Sequence, residues 1–343
     1  MLTRPAIADD DIKSVLAQDY GLQLRAFDFL PLGNDMNSYV YRAETLNDGA
    51  RFIKVKLKID NPASLIVPRY LRDLGIAEVV APMESRSGQT YVTTEGFSVI
   101  VYPYVAGGNG MDTPMTDVHW IAYGNVLRRI HDATVTRPPE VDALLRREAF
   151  DLPTAPYVSA VQARMHTSAP RDDIDASAHS FWRVRDSEIN ALLARTEQLG
   201  ELLRKQHLPP VLCHSDIHTA NLMVQSTDIV CVVDWDGPML APRERDLMFV
   251  AGMSGVPGDW ITATHESLFF QGYGAVALNW PLLAYYRYER ALEDMSSYGD
   301  CILSESFDEA TRRDALKGLM QVFAHGEAVE WARACDARSS GDA

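Results

Sequence analysis

Cysteine is scarce in this chain and never paired. Its four cysteines are Cys213, Cys231, Cys301 and Cys335, and none stands in a C-x-x-C pair or has histidine at zinc-site spacing. That argues against a disulfide scaffold or a structural zinc site and for reduced, buried thiols. Positive charge is short too: 32 Lys and Arg against 47 Asp and Glu leave a net charge of −15. Nucleic acid is therefore not an expected partner, because its phosphates are held by clustered Lys and Arg. A cationic small molecule is compatible with the balance. Long apolar runs are missing: no stretch approaches the roughly 18 consecutive apolar residues of a membrane helix. The first residues, "MLTRPAIADDDIKSVL", carry no apolar signal-peptide core. The expectation is a soluble cytoplasmic protein with no membrane partner. No repeat of fixed period is present.

What is there is enough for two lobes and a sizeable core: 343 residues, 47% of them hydrophobic. "ADDDIKSVLAQ" reads as a short helix with an acid-favoured start. "LQLRAFDFLPL" and "SYVYRAETL" alternate as strands around the polar "GNDMN". "RFIKVKLKI" alternates strictly, with Ile53, Val55 and Leu57 on one face and Phe52, Lys54 and Lys56 on the other. "SLIVPRYLRDLG" reads as a helix perturbed by Pro68 and stopped by Gly75. "EVVAPM", "TYVTTEG" and "FSVIVYPYV" read as strands, and "AGGNGM" as a flexible breaker beyond them. Thereafter the pattern is mainly helical, with Thr116 as an N-cap, apart from the apolar runs "PVLC" and "IVCVVDW". The fold class expected is α+β with two lobes. A small strand-rich one spans residues 1–105 and a larger, mainly helical one spans 106–343.

Between those two runs lies "CHSDIHTANLMV", in which His214, Asp216 and Asn221 form H-x-D-x-x-x-x-N. This is the spacing of a kinase catalytic loop. Phosphoryl transfer to an alcohol needs an acceptor for the hydroxyl proton, and the Asp216 carboxylate suits that role. It also needs hard oxygen ligands for a metal on the phosphates, and the Asn221 amide oxygen supplies one. The run "IVCVVDWD" ends in Asp234, where a kinase-type fold has its second metal ligand. A loop holding Asp and Asn is otherwise an ordinary turn, since both side chains cap their own backbone; the acidic strand end following it favours catalysis. His214 suits a hydrogen bond to the loop backbone. His218 reads equally as a substrate contact or as an exposed loop histidine.

"VLCHSDIHTANLMV" followed by "VVDWDGPMLAPRERDLMFV" resembles the aminoglycoside phosphotransferase and choline kinase superfamily, and within it the spectinomycin 9-phosphotransferase group. "IVYPYVAGGNGM" and "YYRYERALEDMSSYG" extend the likeness over about residues 5–300. The resemblance implies a bilobal protein-kinase-like fold with ATP and Mg²⁺ as cofactors, residues 1–105 supplying the nucleotide-binding lobe and hinge. It sets Lys54 as the phosphate-binding lysine, backbone near Tyr102 and Tyr104 against adenine, and Gly33, Asn34 and Ser38 over the phosphates. That loop lacks G-x-G-x-x-G and on its own reads as a hairpin. On its own Lys54 could instead be a solvated edge charge, and Lys56 shares its face; the family pattern of two apolar residues and then lysine favours Lys54. The helix expected to give Lys54 its glutamate, "NPASLIVPRYLRDLG", contains none. Asp246 matches an aspartate that braces the catalytic loop.

The acceptor implied is spectinomycin or a close aminocyclitol; choline, methylthioribose, homoserine or a sugar is the alternative. Asp236, two residues past Asp234, could serve metal or substrate. Glu289 and Glu293 share a helix face and could hold the amines of a cationic acceptor, or simply pair with Arg287 or Arg290. Tyr285, Tyr286 and Tyr288 would suit the aromatic cage that choline requires.

Overall fold

The computed structural model describes residues 4–31, 37–225, 228–252 and 261–339. It is a mixed α+β fold, strand-rich at its N-terminal end and helical beyond. In chain order the elements are α1 (Asp9–Gln18), β1 (Leu24–Leu30), β2 (Ser38–Thr45), β3 (Ala50–Lys56), α2 (Ala63–Asp73), β4 (Val92–Thr94), β5 (Phe97–Pro103) and β6 (Gly108–Asn109). Then come α3 (Asp117–Asp132), α4 (Pro139–Asp142), β7 (Arg146–Arg147), α5 (Ala155–Thr167), α6 (Asp173–Leu203), β8 (Val211–Cys213), β9 (Leu222–Val224), β10 (Val230–Val232) and β11 (Met239–Ala241). The last are α7 (Glu244–Leu247), α8 (Ala263–Tyr273), α9 (Trp280–Leu303), α10 (Glu309–Gln321) and α11 (Ala328–Ser339). The chain forms two compact units: residues 1–146 with 212–240 and 271–273, and the remainder.

In the first unit β1 to β5 make an antiparallel sheet in the order β1-β2-β3-β5-β4. Period-two alternation sorts β3: Ile53 and Val55 are fully buried, while Lys54 and Lys56 lie on the opposite face. Leu57, read as a third core residue, is exposed just past the end of the strand. Three acids open α1, where the helix dipole favours them, and its Ile12, Val15 and Leu16 pack on Tyr41, Ile53, Val99 and Val101. Pro68 sits within α2 without ending it; Gly75, at φ +83, marks the turn after it. Thr116 caps α3 in a reciprocal box with His119.

Two sequence expectations fail here for physical reasons. "EVVAPM" is not a strand. Its Glu78 and Val80 backbones bond Val232 (Glu78 O from Val232 N at 2.8 Å, Val80 N to Val232 O at 3.0 Å), so the apolar run is a docking point for β10. Nor is "AGGNG" a slack breaker. Gly108 and Asn109 form β6, which pairs with β9. The Gly110 N–H donates to the carbonyls of Thr219 (2.9 Å) and Leu222 (2.8 Å). A Cβ on Gly107 would run into the Val224 carbonyl, and one on Gly110 would stand 3.0 Å from the Thr219 oxygen. These glycines permit close approach of two backbones; they do not loosen the chain.

In the second unit α9 is the central helix, packed by α5, α6, α7, α10 and α11. Asp172 caps the 31-residue α6, accepting from the backbone of Ile174 and Asp175, and is itself held by Arg312. No helix among the described residues is long and apolar enough to cross a membrane.

Gly107 combines φ +131 with a blocked Cβ direction. Gly107→Ala is therefore expected to destabilise the protein by about 1–3 kcal/mol, read as a lowered chemical-denaturation midpoint.

Candidate active site

The loop from His214 to Asn221 is fixed from several sides within the first unit. The His214 ring bonds the Val233 carbonyl through Nε2 (2.9 Å) and accepts from the Asp216 N–H at Nδ1 (3.3 Å), the structural role its position suggested. Ser215 donates from Oγ to the Gly237 carbonyl (2.5 Å), and Val233 N–H donates to Asn221 O (3.0 Å). Tyr123 of α3 donates its hydroxyl to Ile217 O at 2.6 Å. Two non-glycine residues occupy the left-handed region here, Ser215 (φ 72) and Asp234 (φ 62). Such backbone costs on the order of 1–3 kcal/mol per residue. The ties among His214, Ser215, Val233 and Gly237 hold it in place.

Asn221 is 8% exposed, and its Nδ2 donates to the Asp216 carbonyl (2.8 Å) and carboxylate (3.3 Å). That commits the amide nitrogen, so Oδ1 is the atom that could meet a cation. Together with the Asp234 carboxylate it offers two hard oxygens, the donor chemistry Mg²⁺ takes. His218 begins the 3₁₀ turn Thr219–Asn221 by accepting from the Ala220 N–H at Nδ1 (3.2 Å), and its Nε2 lies 3.5 Å from Asp216 Oδ1.

The acid that the α2 sequence fails to supply comes instead from the segment after β10. Lys54 Nζ is 3.3 Å from Asp234 Oδ1 and 3.2 Å from Asp236 Oδ2. Burial disfavours the Lys54 charge, but Asp234 and Asp236 outweigh burial and raise its pKa. Burial likewise pushes Asp236 up, while Lys54 and Lys56 outweigh it and hold the carboxyl below its ordinary value. Asn61 donates from Nδ2 to the Asp236 carbonyl at 3.0 Å. Sequence reading passed over Asn61 and the Asp236–lysine cluster. The period-two K-x-K of β3 was the signal for a shared face, but nothing local names its partner.

Ser38 is buried at the start of β2, opposite Lys56 in register. Tyr102 lies near the end of β5 with its ring edge-on to Phe52, and Tyr104 is exposed with the Arg42 guanidinium 4.8 Å from its ring centroid. Gly33 and Asn34 lie outside the described residues. Asp246 is fully buried in α7.

In the second unit the acidic pair of α9 is divided. Glu289 is 6% exposed and ion-pairs with the Arg245 guanidinium, whereas Glu293 is exposed. Burial, the larger effect, raises the Glu289 pKa, and the Arg245 guanidinium pulls against it. The pairing partners suggested by sequence are occupied elsewhere. Arg290 pairs with Asp294, and Arg287 is buried, donating to the carbonyls of Met248 and Ala251. The expectation of two open carboxylates is corrected for Glu289, because its charge is already matched by Arg245. Tyr285, Tyr286 and Tyr288 are likewise buried, at 0%, 0% and 3% exposure, so they present no open aromatic cage.

An aspartate and asparagine at kinase spacing, a lysine drawn to a second acidic segment and a mixed α+β frame define a phosphotransferase. The Phosphotransferase enzyme family matches residues 28–285, well over half of the chain, and the chain belongs to that family. It is similar over nearly its whole length to the crystal structure of spectinomycin phosphotransferase, APH(9)-Ia, in complex with ADP and spectinomycin. The identity is 30%, covering 97% of this chain and 99% of that one, with a TM-score of 0.85. Protein StrN of Streptomyces griseus is 29% identical over 232 residues, 65% of this chain and 69% of that protein. Amicoumacin kinase hAmiN, at 18% identity and a TM-score of 0.60, shares the fold.

Because Glu289 neutralises a buried guanidinium, Glu289→Ala is expected to cost about 3–5 kcal/mol of stability. Glu293→Ala should stay within about 0.5 kcal/mol of the unaltered protein. Parallel urea melts check both.

Proposed function

We propose that this enzyme is an ATP-dependent kinase that transfers the γ-phosphate to a hydroxyl of spectinomycin or a close aminocyclitol, conferring resistance. The observation that carries the reading is the likeness to spectinomycin phosphotransferase at 30% identity over 97% of the chain. The ion cluster of Lys54, Asp234 and Asp236 and the hydrogen-bonded pair Asp216–Asn221 support the chemistry. On this reading residues 1–105 act as nucleotide-binding lobe and hinge, and residues 106–343 as catalytic and acceptor-binding lobe. The enzyme works in the cytoplasm, where ATP is supplied.

Asp216 takes the proton of the acceptor hydroxyl as the hydroxyl oxygen attacks the γ-phosphorus and the bond from that phosphorus to the bridging oxygen breaks, releasing ADP; the Asn221 amide steadies the carboxylate from one side. Asn221 and Asp234 are the residues that would hold Mg²⁺; the ion, when bound, offsets charge on the phosphate oxygens. Lys54 moves its ammonium from the two aspartates to the phosphates. Backbone near Tyr102 and Tyr104 meets adenine, and Ser38 stands on the phosphate side. His218 and Asp236 are the acceptor contacts, and Glu293 is an exposed carboxylate suited to a cationic amine. The exposed carboxylate and the acidic chain suit a cationic acceptor.

Purified protein with ATP, Mg²⁺ and spectinomycin is expected to give phosphorylated drug, detected by mass spectrometry. Brisk turnover with choline or methylthioribose and none with spectinomycin would overturn the reading. Asp216→Asn should cut kcat by about a hundredfold or more with nucleotide affinity nearly unchanged. Asp234→Ala should abolish Mg²⁺-dependent nucleotide binding together with turnover.

A further inference from the structure

We propose that Lys56 is a positioning residue of the nucleotide site: it neutralises Asp236, so that Lys54 can leave that carboxylate for the phosphates of a nucleoside triphosphate. This rests on the kinase reading above. Lys54 and Lys56 are two apart on β3, so both side chains leave the same face of the sheet. Their ammonium groups converge on one carboxylate. Lys54 Nζ is 3.3 and 3.2 Å from the two oxygens of Asp236, and Lys56 Nζ is 3.5 Å from Oδ1. A lysine on a sheet face is usually solvated, with its head group in water. Here the two side chains keep only 16% and 17% of their exposure, so both are turned inward. The Asp236 carbonyl is fixed by Asn61, which keeps the carboxylate within reach of both cations.

The electrostatic argument follows from counting charges. Lys54, Lys56, Asp234 and Asp236 sum to zero. With nucleotide bound, Lys54 would turn to the phosphates, and Asp234 would be taken up in holding a metal. Asp236 is then left with Lys56 as its neighbouring cation among these four groups. Without Lys56, a half-exposed carboxylate would compete for Lys54 and repel the incoming phosphates. With Lys56, Lys54 exchanges one anionic partner for another and Asp236 stays paired. The contact Lys56 makes in this cluster is with Asp236, and it acts through that carboxylate.

The test is calorimetric titration of the full chain with a non-hydrolysable ATP analogue and Mg²⁺. The proteins compared are the unaltered chain, Lys56→Ala, Lys56→Arg, Asp236→Asn and the double variant Lys56→Ala with Asp236→Asn. Thermal melts establish that each is folded. Lys56→Ala is expected to weaken binding by about fivefold or more, to raise the KM for ATP more than it lowers kcat, and to be rescued by Lys56→Arg. The double variant should bind within about twofold of Asp236→Asn alone, because the carboxylate that required neutralising is gone. Equal affinity of Lys56→Ala and the unaltered chain overturns the proposal. So does an undiminished defect in the double variant, which would make Lys56 a direct phosphate contact. An unaltered chain that binds no analogue overturns the kinase reading and this proposal with it, whereas normal binding with an indifferent Lys56 overturns this proposal alone.

Discussion

The site depends on the stitching of two loops to each other. His214, Ser215 and Asn221 on one side meet Val233 and Gly237 on the other through a ring nitrogen, a hydroxyl and a backbone pair. Ser215 and Asp234 could not hold left-handed backbone without compensation. The cost of that geometry is offset by bonds that exist only when both loops are in place. Removing any one tie therefore affects both the Asp216–Asn221 loop and the acidic segment that receives Lys54. The course of the Asp216–Asn221 loop and that of the Asp234–Asp236 segment are one structural problem here, solved once.

A second layer of support comes from elements with no chemistry of their own. Tyr123 projects from α3 to the Ile217 carbonyl, and Gly110 donates to the carbonyls of Thr219 and Leu222. The 78–80 segment binds β10 by its backbone. Each contact spends a main-chain polar group that would otherwise be buried without a partner. Most are made by glycine or by ordinary backbone, so they leave little mark in residue type.

That distinction separates what the sequence reveals from what it conceals. His214, Asp216, Asn221 and Asp234 are legible because they form a motif of fixed residue type and spacing within a short stretch of the chain. The inward faces of α1 and β3 are legible because burial imposes a period. Long-range electrostatic partnerships carry no such local imprint. Asp236 lies 182 positions from Lys54, and Arg245 lies 44 from Glu289. The α2 sequence shows that a glutamate is missing without naming the replacement. "EVVAPM" and "AGGNG" misled in opposite ways. The first has strand composition but bonds a single strand edge for a few residues. The second has linker composition because two backbones must pass within van der Waals distance.

The strap between Pro103 and Thr116 also has a consequence for how the gene can vary. Its path is set by main-chain bonds at Gly110 and by strand pairing at Gly108 and Asn109. A segment held at successive residues has a fixed length as well as a fixed course. An inserted or deleted codon there shifts every later bond out of register, whereas a surface loop absorbs such a change at little cost. Length variation among descendants of this gene should therefore be found outside the strap, and differences in acceptor preference must arise through elements that do not bear on it.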